Sequence, residues 1–461
     1  MLNLWPASSK RVMSDDSYLS SQRRITLTLA QHMLHGTTKT EGIISDVVPN
    51  TDTSLRNSSA MVKCHPISSG ECTNFALDNK YDCIRPPEVR ALLPAIKVRD
   101  EVTDVRIAWP MNVFHRIMGE NYLSVDGVKL CPHDPVTMDI EQQCFHSGTQ
   151  SKRDQHMNEV GNHRDTLSFG RKLPSKYLRH TLGGVYNADV PLYIFALDKI
   201  HSKQFVHVFT FELMIKKLLR MEIKKKGKWV PVLNCEEKLQ YIEVENGLQA
   251  IATPTVFAMY VNYSPEEKDS VFCRLGNLPE FNPIEPGEEG ISIRFRQYMK
   301  MNTTVQPSQS SVVATPLKSP YPTVAIISVS ANQQAVRSSG TSNYTTNPGN
   351  PEVGEDPVET VGIVANGKEI VPENTPTAYL WTDYQTINSP IHQGYRIHSF
   401  CKDLSVSYPD SSNVITDGMI TNTYRANTKY KGQYIEHNYL VAMREYRYVK
   451  VGGNVVIRLV E

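Results

Sequence analysis

Two cysteine–histidine pairs pose the first chemical question. Cys131-Pro132-His133 and Cys144-Phe145-His146 are followed by His156 and His163, and thiolate and imidazole are the ligands Zn2+ takes in tetrahedral sites. Neither pair has Cys-x2-Cys spacing, and the intervals between them fit no standard finger. Free thiols and solvated histidines in a long loop account for the same letters. The expectation is no metal and no cofactor, with Cys131, His133, Cys144 and His146 as the ligand candidates to check.

A second constellation is basic. Lys216, Lys217, Arg220, Lys224, Lys225, Lys226 and Lys228 fall within one short stretch and suit nucleic acid or acidic headgroups. Without interleaved aromatic stacking residues, the run reads first as a solvated loop between strands, or as a contact to an acidic neighbour. An anionic membrane facing it is the sharper alternative, and no specific nucleic-acid binding is expected. For hydrolysis, neither Gly-x-Ser-x-Gly nor Gly-x4-Gly-Lys-Ser/Thr is present. Glu236-Glu237 and Glu288-Glu289 sit among turn formers and read as surface charge. No catalytic residue is assigned, and no enzyme is expected.

The elements that carry these residues read as β. Val105–Trp109 and Val113–Ile117 alternate loosely, and Ala91–Val98 is an apolar run broken by Pro94. Tyr122–Leu130 predicts a hairpin turned at Asp126-Gly127, and Val361–Val371 another turned at Asn366-Gly367. Strands are predicted at 190–196, 205–211, 229–233, 256–263, 291–295, 323–330, 395–400, 404–408, 439–443, 446–449 and 455–459, from β-branched and aromatic runs between turn formers. Residues 131–170 are polar and predict a long functional or interaction loop. After Tyr263, Ser264-Pro265-Glu266-Glu267 reads as a capped helix start, followed by breakers at Gly276, Pro279, Pro283, Pro286 and Gly287.

Bulk properties fit this pattern. A chain of 461 residues is comfortable for two cores. With 40% hydrophobic and 21% charged residues it belongs among globular rather than disordered sequences. A net charge of +1 gives no global field to recruit nucleic acid or lipid. No apolar run is long enough to span a bilayer as a helix, and Met1–Trp5 does not open a secretory signal. The eight cysteines are spread thinly and are expected to be mostly buried thiols. The fold expected is all-β: two tandem jelly-roll sandwiches, with an N-terminal extension or arm at 1–60, a first roll at 61–275, a linker at 276–290 and a second roll at 291–461.

The order of several segments resembles the double jelly-roll major capsid proteins of nucleocytoplasmic large DNA viruses, most closely the iridovirus type. The segments are Pro94–Val98, Arg106–Trp109, Asn112–His115, Leu192–His201, Tyr260–Lys268, Ser342–Thr346, Gly394–Phe400 and Glu445–Gly453. Where that family has a Gly-Ser-Ile-Asn-Phe-Ser-Arg type stretch, Pro409-Asp-Ser-Ser-Asn413 keeps the turn and lacks the Phe and Arg, which implies a diverged member. The resemblance implies a structural capsid protein of the virion, made and assembled in the host cytoplasm. Homotrimers would form pseudo-hexagonal capsomers that tile an icosahedral shell beside neighbouring capsomers and minor capsid proteins, over a possible inner membrane. The alternatives are a minor capsid component with the same fold, a β-sandwich carbohydrate-binding module, and more distantly a glycoside-acting enzyme.

Overall fold

The computed structural model describes residues 48–49, 59–66, 72–77, 81–125, 128–145, 150–183, 192–193, 205–247, 249–252, 254–262, 291–306, 312–318, 321–333, 336, 342–347, 354–377, 394–401, 419–427, 432–451 and 454–460. The chain is all-β in its framework; the first half builds two main antiparallel sheets and two smaller three-stranded ones, and the second half a pair of antiparallel sheets. In the first half, Ser59–Pro66, Cys83–Ile84, Glu88–Leu93, Lys176–Thr181, Leu192–Tyr193 and Thr255–Asn262 make one sheet, with Val48–Pro49 at its edge. Facing residues come from a second sheet in the order Cys72–Ala76, Phe205–Phe211, Met118–Val125, Val128–His133. Phe205–Phe211 buries every second residue, which is the period that a one-sided strand demands. Val89, Leu93, Leu123, Phe209 and Val256 meet in the shared core.

The second half repeats the plan. Ile291–Gln306, Tyr434–Val451, Thr323–Asn332 and Tyr395–Ser399 form one sheet in that order, and Asn454–Val460 folds back on Tyr434–Val451. The opposing sheet runs Val312–Lys318, Met419–Ala426, Val358–Ala365, Lys368–Pro376. Thr323–Asn332 is buried at every position because both of its faces are covered. Ile326 packs on the opposing sheet with Leu317, Ile363 and Ile420, whereas Ala325, Ile327, Val329 and Ala331 face a layer supplied by the first half.

Several expectations are met closely. The hairpin of Val358–Ala365 and Lys368–Pro376 turns at Asn366 and Gly367, both at positive φ (50° and 75°), the primed turn that suits twisted strands. Met118–Val125 pairs with Val128–His133, the expected turn residues 126–127 lying outside the described residues, and an extra residue on the second strand bulges at Cys131, which has φ 48°. Pro94 does break the apolar run, sending Glu88–Leu93 and Ile96–Val98 into different sheets. The strands at 439–443 and 446–449 are one continuous element, Tyr434–Val451.

Two expectations are corrected. Val113–Ile117 is a helix, entered from Asn112 in the left-handed region, because its buried Val113, Phe114 and Ile117 answer to a core on one side rather than to alternation. The stretch 131–170 is not a loop. After the strand ending at His133 it folds into the helix Pro135–Ile140, a π-helical turn Glu141–Phe145, and the helices Gln150–Glu159 and Arg164–Leu167. Asp134 caps the first of these reciprocally with Thr137, and Pro135 starts it. The 1–60 arm, apart from the strand residues named above, the Ser264–Glu267 helix start, the 276–290 linker and the 404–408 strand lie outside the described residues.

Candidate functional site

The layer that the first half lends to the second is this helical insertion. Ile140, Cys144 and Phe145 are buried in one cluster with Tyr298, Ile327, Val329, Tyr344, Tyr395 and Tyr439 of the second roll. Apolar packing alone is not directional, so register at this junction falls to polar pairs, and three of them share one chemistry. Asp134, Asp139 and Glu141 each accept a hydrogen bond from a buried tyrosine of the second roll. The Tyr439 hydroxyl donates to Asp134 Oδ2 at 3.0 Å, the Tyr344 hydroxyl to Asp139 Oδ2 at 2.7 Å, and the Tyr298 hydroxyl to Glu141 Oε1 at 2.5 Å.

The capped helix start places these carboxylates. Asp134 is the N-cap residue and also pairs with Lys300 at 3.3 Å. Asp139, fully buried at the helix end, takes donors on both oxygens: Asn112 Nδ2 and His115 Nδ1 each reach Oδ1 at 2.7 Å, opposite the Tyr344 hydroxyl on Oδ2. The π-turn presents Glu141 and tucks Phe145 beneath the guanidinium of Arg296, 4.4 Å from the ring. Burial first, and the neighbouring carboxylates second, push the phenols of Tyr298, Tyr344 and Tyr439 well above their ordinary range. They therefore stay protonated and act as fixed donors. This arrangement suits a rigid cross-link between rolls, not proton transfer near neutral pH.

The cysteine–histidine candidates are dispersed into this architecture. Cys131 sits in the first roll's core and points its thiol at the Arg296 carbonyl, 2.9 Å away. Cys144 belongs to the second roll's core, where burial pushes its thiol far up. His133 is buried, its ring centroid 5.8 Å from that of Tyr298, and burial lowers its pKa. His146 lies outside the described residues. His163 caps the Arg164–Leu167 helix. His156 joins His115 and His180 in a cluster whose ring nitrogens all lie within 4.8 Å of one another. Among the described residues Cys83, Cys131, Cys144, Cys235 and Cys401 are free thiols, and only Cys235 is not buried.

The basic run is a built hairpin rather than a loop. Lys216 and Lys217 lie on the Ile215–Leu218 helix, and Arg220–Lys225 pairs with Lys228–Pro231 through a turn at Lys226-Gly227 with φ of 50° and 78°. Aromatic platforms are present after all. Arg106 stacks 4.4 Å over Trp229 and 4.7 Å over Phe169, and Arg220 also stacks over Phe169. Trp229, Val230 and Leu233 stay well exposed at 38%, 39% and 42% beside Lys224, Lys225, Lys226 and Lys228. The sequence signal for this was Trp229 itself, one residue past the last lysine.

No protein-family model matches the chain, and no curated protein matches it in sequence. Solved structures do match in fold. The PBCV-1 virus capsid aligns at a TM-score of 0.58 and 12% identity, covering 92% of this chain and 100% of that one. The Faustovirus major capsid protein aligns at 0.58 and 9% identity, covering 96% and 99%. A chain of the Sputnik virophage aligns at 0.53 and 8% identity, covering 92% and 91%. With both sandwiches, their order and nearly the whole length in common, this chain has the tandem double jelly-roll fold found in these viral capsid proteins.

Proposed function

We propose that the chain is a structural capsid protein that assembles as a homotrimer into pseudo-hexagonal capsomers of an icosahedral virion shell. The observation that carries this reading is the extent of the fold match: both rolls align over nearly the full length of major capsid proteins. The tyrosine–carboxylate junction supports it, since two lobes held in fixed relation let threefold symmetry approximate sixfold packing. The reading is non-enzymatic, and its partners are copies of itself, neighbouring capsomers and minor capsid proteins. Light scattering after size exclusion tests it. A species at three times the 52.1 kDa chain is expected. A chain that stays monomeric across salt and concentration, and that binds glycans on an array, would turn the reading to a carbohydrate-binding sandwich.

The Lys-rich hairpin favours an inner membrane as the surface beneath the shell. Exposed Trp229, Val230 and Leu233 among four lysines combine apolar insertion with attraction to anionic headgroups. Flotation with phosphatidylserine-containing vesicles is expected to carry the protein in low salt. Trp229→Ala combined with Lys225→Gln and Lys226→Gln is expected to abolish this. Equal flotation of the two proteins would remove the membrane from the reading.

A further inference from the structure

The strongest unassigned chemistry lies in the first roll, where three elements bring His115, His156 and His180 together. His115 is on the Val113–Ile117 helix, His156 on Gln150–Glu159 and His180 on the strand Lys176–Thr181. The His115 and His180 rings meet edge to face at 5.2 Å between centroids, and His156 lies 5.7 Å from His180. His115 is fully buried, and its Nδ1 is engaged by Asp139 Oδ1 at 2.7 Å. A carboxylate acceptor on Nδ1 favours the tautomer with its proton there, which turns the ring's lone pair to Nε2. That Nε2 is buried and has no hydrogen-bond partner. A carboxylate that orients one imidazole nitrogen and raises the basicity of the other is the outer-shell device of histidine metal sites.

We propose that His115, His156 and His180 bind a divalent transition-metal ion of the Zn2+ class, with Asp139 as the positioning residue behind His115. Tetrahedral Zn–N bonds of about 2.05 Å require nitrogens about 3.3 Å apart. The present spread of up to 4.8 Å closes with small side-chain movements of the half-buried His156 and His180. Three protein ligands leave the fourth position to water, as in an open site. Nearby Arg179 is paired with Glu159 and Glu88, so its charge is already compensated. Asp139 also receives the Tyr344 hydroxyl from the second roll, so the ion would stiffen one end of the inter-roll junction.

The test uses the full chain without a histidine tag, stripped with chelator and titrated with Zn2+ by calorimetry. One tight site per chain is expected. His156→Ala and His180→Ala are each expected to weaken it at least about tenfold, while His163→Ala leaves it unchanged. Zn2+ is also expected to raise the Tm of the unmodified chain. Co2+ gives a reading that needs no variant, because a tetrahedral nitrogen site yields intense visible absorption and the hydrated ion does not. Absence of those bands from the unmodified chain, or Zn2+ affinity in folded His156→Ala and His180→Ala equal to the unmodified chain, would overturn the proposal.

Discussion

Removing the Tyr344 hydroxyl isolates the junction from everything else that ring does. Tyr344 is 2% exposed, and its ring packs edge to face on Tyr395 at 5.3 Å. Tyr344→Phe keeps that packing and opens no cavity. What is lost is the 2.7 Å hydrogen bond to Asp139 Oδ2, leaving that buried oxygen without its donor while Oδ1 keeps Asn112 and His115. A hydrogen bond to a charged group contributes about 1.5–3 kcal/mol, so a loss of about 2 kcal/mol is expected. For a unit of the second roll's size this lowers Tm by roughly 4–8 °C. Scanning calorimetry reads the shift. The combined variant Tyr298→Phe, Tyr344→Phe, Tyr439→Phe is expected to do more, separating one endotherm into two as the rolls unfold independently. A double-mutant cycle of Tyr344→Phe with Asp139→Asn should show coupling above about 1 kcal/mol. Additivity within about 0.5 kcal/mol, or a Tyr344→Phe endotherm that coincides with wild type, would refute the idea that these pairs hold the rolls together.

Acid should weaken the fold through two buried histidines. Burial lowers the pKa of His207 to about 3 and of His437 to about 4, so each stays neutral when folded while the unfolded chain protonates near 6.5. Their stabilising contribution is complete above about pH 6.5 and is lost progressively as pH falls toward the folded values, at up to about 1.4 kcal/mol per pH unit for each group. Denaturant midpoints at pH 7.5 and 5.0 check this, and equal midpoints would contradict it. Glu436→Leu removes one carboxylate from buried Arg396, leaving Asp356 as its ion-pair partner among the described residues, and is expected to cost about 3–5 kcal/mol in a thermal melt. Gly394 has φ 98°, and a Cβ there would strike the Tyr344 backbone carbonyl. Gly394→Ala should therefore destabilise by at least about 1–2 kcal/mol, and a neutral result would mean the Tyr344 segment can yield.

Legibility in the sequence followed how local each cause was. The Asn366-Gly367 hairpin was readable because positive φ at two neighbours is a demand few residues meet. Thr323–Asn332 was readable because unbroken β-branched and small residues suit a strand covered on both sides. Val113–Ile117 misled because five residues of Val, Phe and Ile carry too few turns to separate period 2 from 3.6. The 131–170 insertion hid behind its polarity, although Asp134-Pro135-Val136-Thr137 is a cap signature that marks the first helix start. The site itself was out of reach. Tyr298, Tyr344 and Tyr439 are single letters far from Asp134, Asp139 and Glu141, and His115 and His180 are far from His156, so only the folded chain juxtaposes them.

The long strand Tyr434–Val451 carries a consequence for how the protein is made. It is the ladder for Ile291–Gln306, for Thr323–Asn332 and for Asn454–Val460. The first two leave the ribosome long before it does, and Thr323–Asn332 would wait with two apolar faces and an open edge. In the first roll Ser59 likewise waits for Asn262. Such distant pairings make for slow folding with loop-closure entropy to overcome before any contact repays it. Each roll is therefore completed in one late step, and exposed waiting strands are the species most prone to aggregate. Growing chains of this kind are natural clients for a chaperone that shields strand edges until the closing strand arrives.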